Sequence, residues 1–266
     1  MVGITSFSSV PYTSELTETQ KLFIEWNAER LNIPVEECRK RFFRSMERFV
    51  NGHTGSEFDE YCELTHDVFN VLYSDKEEEL YDSYAFYGTL DFLRYLSYPV
   101  PRYEDNSILI KSIGQKSKIV IVDYGCGLAQ SSRALADYYA GRNVNTELHL
   151  FDIPTIRKAF LKWIYRESRV KLTLHDCTAD KPIPEIPNCD VLIALEFLEH
   201  VYNPIIYLQR FHESLMNESI LVTNAEDHMP EFMHVTPILE ELRNHIRDLR
   251  YTLISDDRAC QIYKKP

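Results

Sequence analysis

The stretch that decides the fold is Lys118-Ile-Val-Ile-Val-Asp-Tyr-Gly-Cys-Gly-Leu-Ala129. Its run Ile119–Val122 is apolar and β-branched on both faces, the pattern of a central strand in a parallel sheet covered by helices on each side. The run ends in Asp123, then the pair Gly125 and Gly127, then a helical segment from Gln130 to Tyr139. The glycines let the backbone turn tightly and approach a ligand with no side chain in the way. The helix that follows presents free N–H groups and a positive dipole end at the same place. A strand, a glycine turn and a helix start together predict a small-molecule cofactor site.

Several folds share such a turn. The dinucleotide fingerprint asks for Gly or Ala three residues after the second glycine, where this chain has Gln130. Asp123 discriminates further, because a carboxylate there would repel a pyrophosphate but suit a cofactor carrying an amino group and a sulfonium.

Downstream, strands and helices alternate, as in a doubly wound sheet. Strands are expected at Ile119–Val122, Glu147–Phe151, Val170–His175, Val191–Leu195 and Ser219–Thr223. The clearest helices between them are Thr155–Glu167 and Pro204–Leu215. A helix over Pro237–Arg247 then precedes two strands, Tyr251–Ser255 and Ala259–Tyr263, whose short connection makes them antiparallel.

Asp-x-Gly-x-Gly at a strand end resembles motif I of the class I S-adenosylmethionine-dependent methyltransferases, and the resemblance runs from about Lys118 to the C-terminus. It implies an α/β fold with a doubly wound seven-stranded sheet: five parallel strands plus a C-terminal antiparallel hairpin. The expected division is an N-terminal all-helical cap over 1–112, serving as a substrate-binding subdomain, and a methyltransferase core over 113–266. A plain dinucleotide fold does not predict the terminal hairpin.

Ligands of such sheets bind outside the carboxyl ends of the strands, at the switch point, which directs attention to the acids there. Asp123, Gly125, Cys126 and Gly127 form the first part of the expected cofactor site. Cys126 is expected to fill space rather than to act as a catalytic thiol. Asp152, followed by Ile153, ends the second strand; its carboxylate can accept from two ribose hydroxyls at once, the other reading being a helix N-cap before Pro154. By resemblance, Asp176 faces the adenine amino group with Cys177 alongside the ring; an ordinary turn aspartate is the competing reading.

The segment Asp190-Val-Leu-Ile-Ala-Leu-Glu-Phe-Leu-Glu-His-Val-Tyr-Asn-Pro204 is similar to the Leu-Glu-His-Val-x-x-Pro segment after the fourth strand of these enzymes. Leu195 and Glu196 are then expected under the methionine end of the cofactor. A helical turn would put Glu196, Glu199 and His200 on one face, at i, i+3, i+4 spacing. Three roles are open for this group. His200 or a glutamate removes a proton from the acceptor. Alternatively, Glu196, Glu199 and His200, completed by His228 or His234, hold a hard ion such as Mg²⁺ or Mn²⁺. In the third, the Glu-His pair is structural. The metal reading follows a resemblance of Glu-x-x-Glu-His with a later histidine to the small-RNA 3′-terminal 2′-O-methyltransferases. The surrounding loop, Glu226–Thr236, departs from that pattern. The remaining histidines carry no motif.

Ahead of the core, Thr17 with Gln20 forms a capping-box pattern opening one helix, and Pro34 suits the first turn of a second. A third is expected from Ser56, and a fourth from Ser74 to about Tyr98, stopped by Pro99 and Pro101. The fourth is crowded with aromatic residues, of which Tyr84 and Tyr87 are candidates for lining the substrate pocket.

Of the 266 residues, 44% are hydrophobic and 26% charged, which is the balance of a soluble globular protein with material for a large core. A net charge of −12 argues against general affinity for nucleic acid, and Arg39, Lys40, Arg41 and Arg44 fit a solvated helix face. No charged-then-apolar leader or membrane-length apolar run is present in the sequence. Six scattered cysteines without a Cys-x-x-Cys pair suit a reducing cytoplasm.

The expectation is therefore methyl transfer from S-adenosylmethionine to a small-molecule acceptor, leaving S-adenosylhomocysteine, in a cytoplasmic protein with no membrane association; a homodimer is allowed. The rival readings are a non-catalytic module that binds the cofactor and a nicotinamide-dependent oxidoreductase.

Overall fold

The structure is a computed structural model and describes residues 16–43, 95–96, 100–227, 234–257 and 260–266. The helices expected from Ser56 and Ser74 lie outside these residues, apart from a helical pair at 95–96.

Seven strands form one sheet: β1 (Lys118–Tyr124), β2 (Asn145–Asp152), β3 (Lys171–Asp176), β4 (Cys189–Ala194), β5 (Leu215–Thr223), β6 (Thr252–Asp257) and β7 (Cys260–Lys264). Their order is β3-β2-β1-β4-β5-β7-β6. β1 pairs in parallel with β2 on one side and β4 on the other, so the chain reverses direction across the sheet at β1. β7 is antiparallel to both neighbours and separates β5 from β6. The terminal hairpin predicted from the sequence is thus added beside β5, with β7 on the inner side and β6 at the edge.

Strand residues alternate between two cores, as the pleat requires. Ile119 and Ile121 of β1 face one core, with α3 (Ile108–Ile113), α4 (Gln130–Ala140) and α5 (Ile156–Ile164) packed above. Val120, Val122 and Tyr124 face the other, under α6 (Pro204–Ser214) and α7 (Glu240–Asp248). Leu109, Ile110 and Ile113 belong to the first core, so α3 crosses the boundary expected at 112/113 and packs with the sheet. Residues 177–188, between β3 and β4, form no helix, and the edge β2–β3 carries the ring stack Phe151–His175–His149 on its face.

Before the core come α1 (Glu18–Leu31) and α2 (residues 35–43). The capping box is formed as the sequence predicts: the Gln20 amide donates to Thr17 Oγ1 at 3.1 Å and the Thr17 amide to Gln20 Oε1 at 2.9 Å. Ile24, Trp26, Cys38, Phe42 and Leu96 make a third cluster with Phe160 of α5 and Leu128 of the glycine turn. The N-terminal cluster therefore shares its packing directly with the turn.

Candidate active site

The glycine turn is built as its sequence demands. Gly125 (φ 68°), Gly127 (φ 54°) and Ala129 (φ 54°) all lie in the left-handed region, which glycine enters without penalty. The Gly125 and Cys126 amides both donate to the Phe151 carbonyl, at 2.9 and 3.1 Å, tying the turn to the end of β2. Ala129 is the N-cap of α4 and has no side chain able to cap it, so the first turn of that helix opens onto the turn without a side-chain acceptor.

Asp123 is buried at the end of β1 and accepts a 2.5 Å hydrogen bond from Ser132 Oγ. Burial raises its pKa to about 7, with the Ser132 bond working in the other direction and the Asp152 charge adding to the rise. Asp152 lies across the turn. Its Oδ2 accepts from the Gly127 amide at 2.8 Å and lies 3.7 Å from Arg157 Nη2; its Oδ1 accepts from the Ile153 amide at 2.8 Å. The N-cap of α5 is Thr155, not Asp152. Cys126 is buried beside Asp152, and burial holds its thiol well above the ordinary range, as suits a space-filling residue rather than a nucleophile.

The glycines are covered by the protein's own side chains. A Cβ at Gly125 would stand 2.5 Å from Phe197 Cδ2, whereas at Gly127 it would meet Tyr95 at 3.6 Å and Arg157 Nη1 at 3.7 Å. Tyr95 also receives Gln130 Nε2 on its carbonyl at 2.8 Å, and the Arg157 guanidinium carbon lies 5.0 Å from its ring centroid. Phe197 packs in turn on Tyr124 and Tyr207, with centroids 4.9 and 5.2 Å away.

Asp176 and Cys177 are engaged within the protein. Asp176 Oδ1 accepts from Lys158 Nζ at 2.6 Å, and the Cys177 amide donates to the Asp152 carbonyl at 2.9 Å. The Cys177 thiol is buried 3.6 Å from Tyr124 Oη, and burial pushes its pKa to about 11.

After β4, Leu195 is half-buried and Glu196 takes a left-handed conformation (φ 50°). The Glu196 amide donates to Asn224 Oδ1 at 2.8 Å and its carboxylate accepts from Asn224 Nδ2, which fixes it against the end of β5. The single helical face expected for Glu196, Glu199 and His200 is not formed. The left-handed residue stands outside the turn, and Leu198–His200 is a short 3₁₀ turn rather than an α-turn. His234 joins Glu199 and His200 instead: one ligand atom from each lies within 4.8 Å of the others. The Thr236 amide donates to the Glu199 carbonyl at 2.9 Å and Thr236 Oγ1 to the Val201 carbonyl at 2.7 Å, holding the later segment here. Glu199 is fully buried, and burial, followed by the charge of Glu196, raises its pKa to about 8. Tyr84, Tyr87 and His228 lie outside the described residues.

The sequence reading missed Tyr95, Ser132, Arg157, Lys158 and Asn224. A signal existed for the two cations. Arg157 and Lys158 stand in the first turn of α5, where positive charge opposes the helix dipole, so each needs a specific acceptor.

No protein-family model and no curated protein matches the chain. Among solved structures it is similar to the Burkholderia thailandensis 1,6-didemethyltoxoflavin-N1-methyltransferase with bound 1,6-didemethyltoxoflavin and S-adenosylhomocysteine (18% identity, 59% of this chain and 75% of that one, TM-score 0.41). It is similar also to coclaurine N-methyltransferase bound to N-methylheliamine and S-adenosylhomocysteine (16% identity, 77% of this chain and 62% of that one, TM-score 0.41). A third is an O-methyltransferase family 2 protein from Planctomyces limnophilus in complex with apigenin (16% identity, 73% of this chain and 62% of that one, TM-score 0.41). Likeness this distant leaves the weight on the strand order and on the antiparallel β7 between β5 and β6. By that topology, the chain has the class I methyltransferase fold.

Proposed function

We propose that the chain transfers a methyl group from S-adenosylmethionine to a small-molecule acceptor. One observation carries this reading: two acids, Asp123 and Asp152, end adjacent parallel strands on either side of a left-handed glycine turn, at the point where the sheet reverses direction. The donor set fits such a cofactor. An uncapped helix start suits a carboxylate, Asp152 suits a pair of hydroxyls, and Asp123 suits an ammonium. When bound, the cofactor supplies a methyl group on a sulfonium that is already a good leaving group. The protein's task is then to orient the reactants and exclude water. Phe197 over Gly125, and Tyr95 with Arg157 over Gly127, serve that exclusion. The net charge of −12 favours a small acceptor over nucleic acid. The free cysteines at 38, 126, 177, 189 and 260 accord with a reducing compartment. Among the described residues no helix is long and apolar enough to cross a membrane.

Calorimetric titration with S-adenosylhomocysteine tests the reading. Micromolar binding, weakened in Asp152→Ala, supports it. Absence of binding by a folded sample, or preference for a nicotinamide nucleotide, overturns it.

A second reading concerns the chemistry beside the cofactor. Glu199, His200 and His234 would hold a divalent ion. With Glu196 turned to Asn224 the set is one carboxylate and two imidazoles, less oxygen-rich than the sequence suggested, so Mn²⁺ or Zn²⁺ suits it better than Mg²⁺. Such an ion would lower the pKa of an acceptor hydroxyl; without it, His200 would serve as the base or hold the turn as a structural residue. Loss of activity on chelation, restored by Mn²⁺, would select the metal. Full activity after chelation would leave His200 as a base or a structural residue.

A further inference from the structure

We propose that Asn224 is a positioning residue for the aromatic cover of the glycine turn: it holds Glu196 in a left-handed conformation, and that conformation sets Phe197 over Gly125. Glu196 follows β4 by two residues, Asn224 follows β5 directly, and the two strands end on the pair Ala194–Thr223. Glu196 is exposed and has φ 50°, a region that residues with a Cβ disfavour. Nothing in a solvated glutamate selects that conformation. Asn224 selects it. This residue is 2% exposed and spends both ends of its amide on Glu196: Oδ1 accepts from the Glu196 amide at 2.8 Å, and Nδ2 donates to Glu196 Oε1. An N–H on one side and a carboxylate on the other leave the amide group one way to face.

Asn224 is itself held. The Ala225 amide donates to Gln261 Oε1 of β7 at 2.9 Å, and the Ala225 carbonyl accepts from Arg243 Nη1 of α7 at 3.0 Å. The segment after β5 is thus the fixed partner, and the turn after β4 is the part it shapes. Phe197 shows the consequence. Its Cβ, Cγ and Cδ2 lie 3.1, 3.0 and 2.5 Å from the position that a Cβ on Gly125 would take. A contact that includes Cβ is set by the backbone of Phe197 and not by its rotamer, and that backbone leaves directly from the left-handed residue. Packing on Tyr124 and Tyr207 then orients the ring. Backbone strain persists where the surrounding structure over-determines it; here it keeps an aromatic ring on the turn. On the reading of that turn as the cofactor site, Asn224 acts on the cofactor through Phe197.

The clamp is tested first without ligand. The α-hydrogen of Gly125 that stands in the Cβ direction points at the Phe197 ring, so its NMR shift reports the cover, with Phe197→Leu as the uncovered reference. Asn224→Ala should move the Gly125 signals at least halfway to that reference. Adding Glu196→Gly to Asn224→Ala should bring them back, because glycine enters the left-handed region unaided. A merely structural Asn224 would lower the urea midpoint, leave the Gly125 signals in place and gain nothing from glycine at 196; that outcome overturns the proposal. If Asn224→Ala does not fold, Asn224→Asp decides, with and without Glu196→Gln. The facing carboxylates should move the Gly125 signals and the swapped pair should restore them; signals unmoved by the clash overturn the clamp. Calorimetry with S-adenosylhomocysteine then reads the consequence. Asn224→Ala should weaken binding about threefold to tenfold, as Phe197→Leu does, through the lost aromatic contact. Unchanged or tighter binding would show that the ring does not cover the cofactor and would overturn that role. Gly125 signals that respond as stated, with no binding by the wild type, would instead remove the cofactor reading and leave the clamp standing.

Discussion

Phe197 occupies the space into which any side chain at Gly125 would project, with its Cδ2 2.5 Å from the Cβ position. The first glycine of the turn is therefore required by the protein's own packing as well as by its backbone. Gly127, also at positive φ, meets only ordinary contacts at 3.6–3.8 Å. Both Gly→Ala changes incur a left-handed backbone cost of about 1–2 kcal/mol. Gly125→Ala must also displace an aromatic ring packed against Tyr124 and Tyr207. Urea unfolding should show Gly125→Ala to be the more destabilised of the two; equal losses would mean that Phe197 moves aside freely.

Asp152 is bonded to the Gly127 amide in the structure and, on the proposed function, accepts hydroxyls from a nucleoside. Each hydrogen bond to a charged acceptor is worth about 1.5–3 kcal/mol. Asp152→Ala should therefore weaken S-adenosylhomocysteine at least tenfold in a titration. Retention of wild-type affinity would place the ribose elsewhere.

Leu128 lies in the glycine turn yet is fully buried in the N-terminal cluster with Trp26, Leu96 and Phe160. Leu128→Ala should cost about 2–5 kcal/mol through the cavity it leaves. Because the same residue belongs to the turn, cofactor affinity should fall in parallel. A stability loss with unchanged affinity would show that the cap and the turn are energetically separate.

The buried acids give a signed pH dependence. Asp123 is raised by burial to about 7 and Glu199 to about 8, so between their ordinary carboxylate pKa values and these values the folded state binds more protons than the unfolded. Their contribution to stability is greatest below that window and declines as pH rises through it. Asp123→Asn, uncharged at every pH, should gain stability relative to wild type as pH rises from about 4 to about 7 in urea titrations at stepped pH. A difference that is constant with pH would contradict the burial of that charge.

His175 works in the opposite sense. Burial, followed by repulsion from His149 and Lys158, lowers its pKa to about 4, and His149 is lowered as well by burial. The unfolded chain takes up protons first, so stability should fall as pH drops from about 6.5 towards 4. Substituting His175→Phe, which keeps a ring on Phe151, should flatten the acid limb of the profile.

Much of this protein was legible in its residue order. The apolar β-branched run before Asp123, the left-handed glycines and the repeated strand–helix alternation state local preferences that packing did not override, and all seven strands stand where the pattern put them. The short connection expected between the last two strands determined that they run antiparallel. It could not determine that β7 enters between β5 and β6, because the pairing partner of a strand is a long-range choice. The site divides in the same way. Asp123 and Asp152 follow from strand ends, but the periodicity that grouped Glu196 with Glu199 and His200 assumed a helix, and one left-handed residue turned Glu196 to Asn224. Tyr95 over Gly127, His234 beside Glu199, and Lys158 bridging two strand ends join residues far apart in the chain. Sequence spacing carries local geometry, while such contacts exist only once the sheet and its helices have packed.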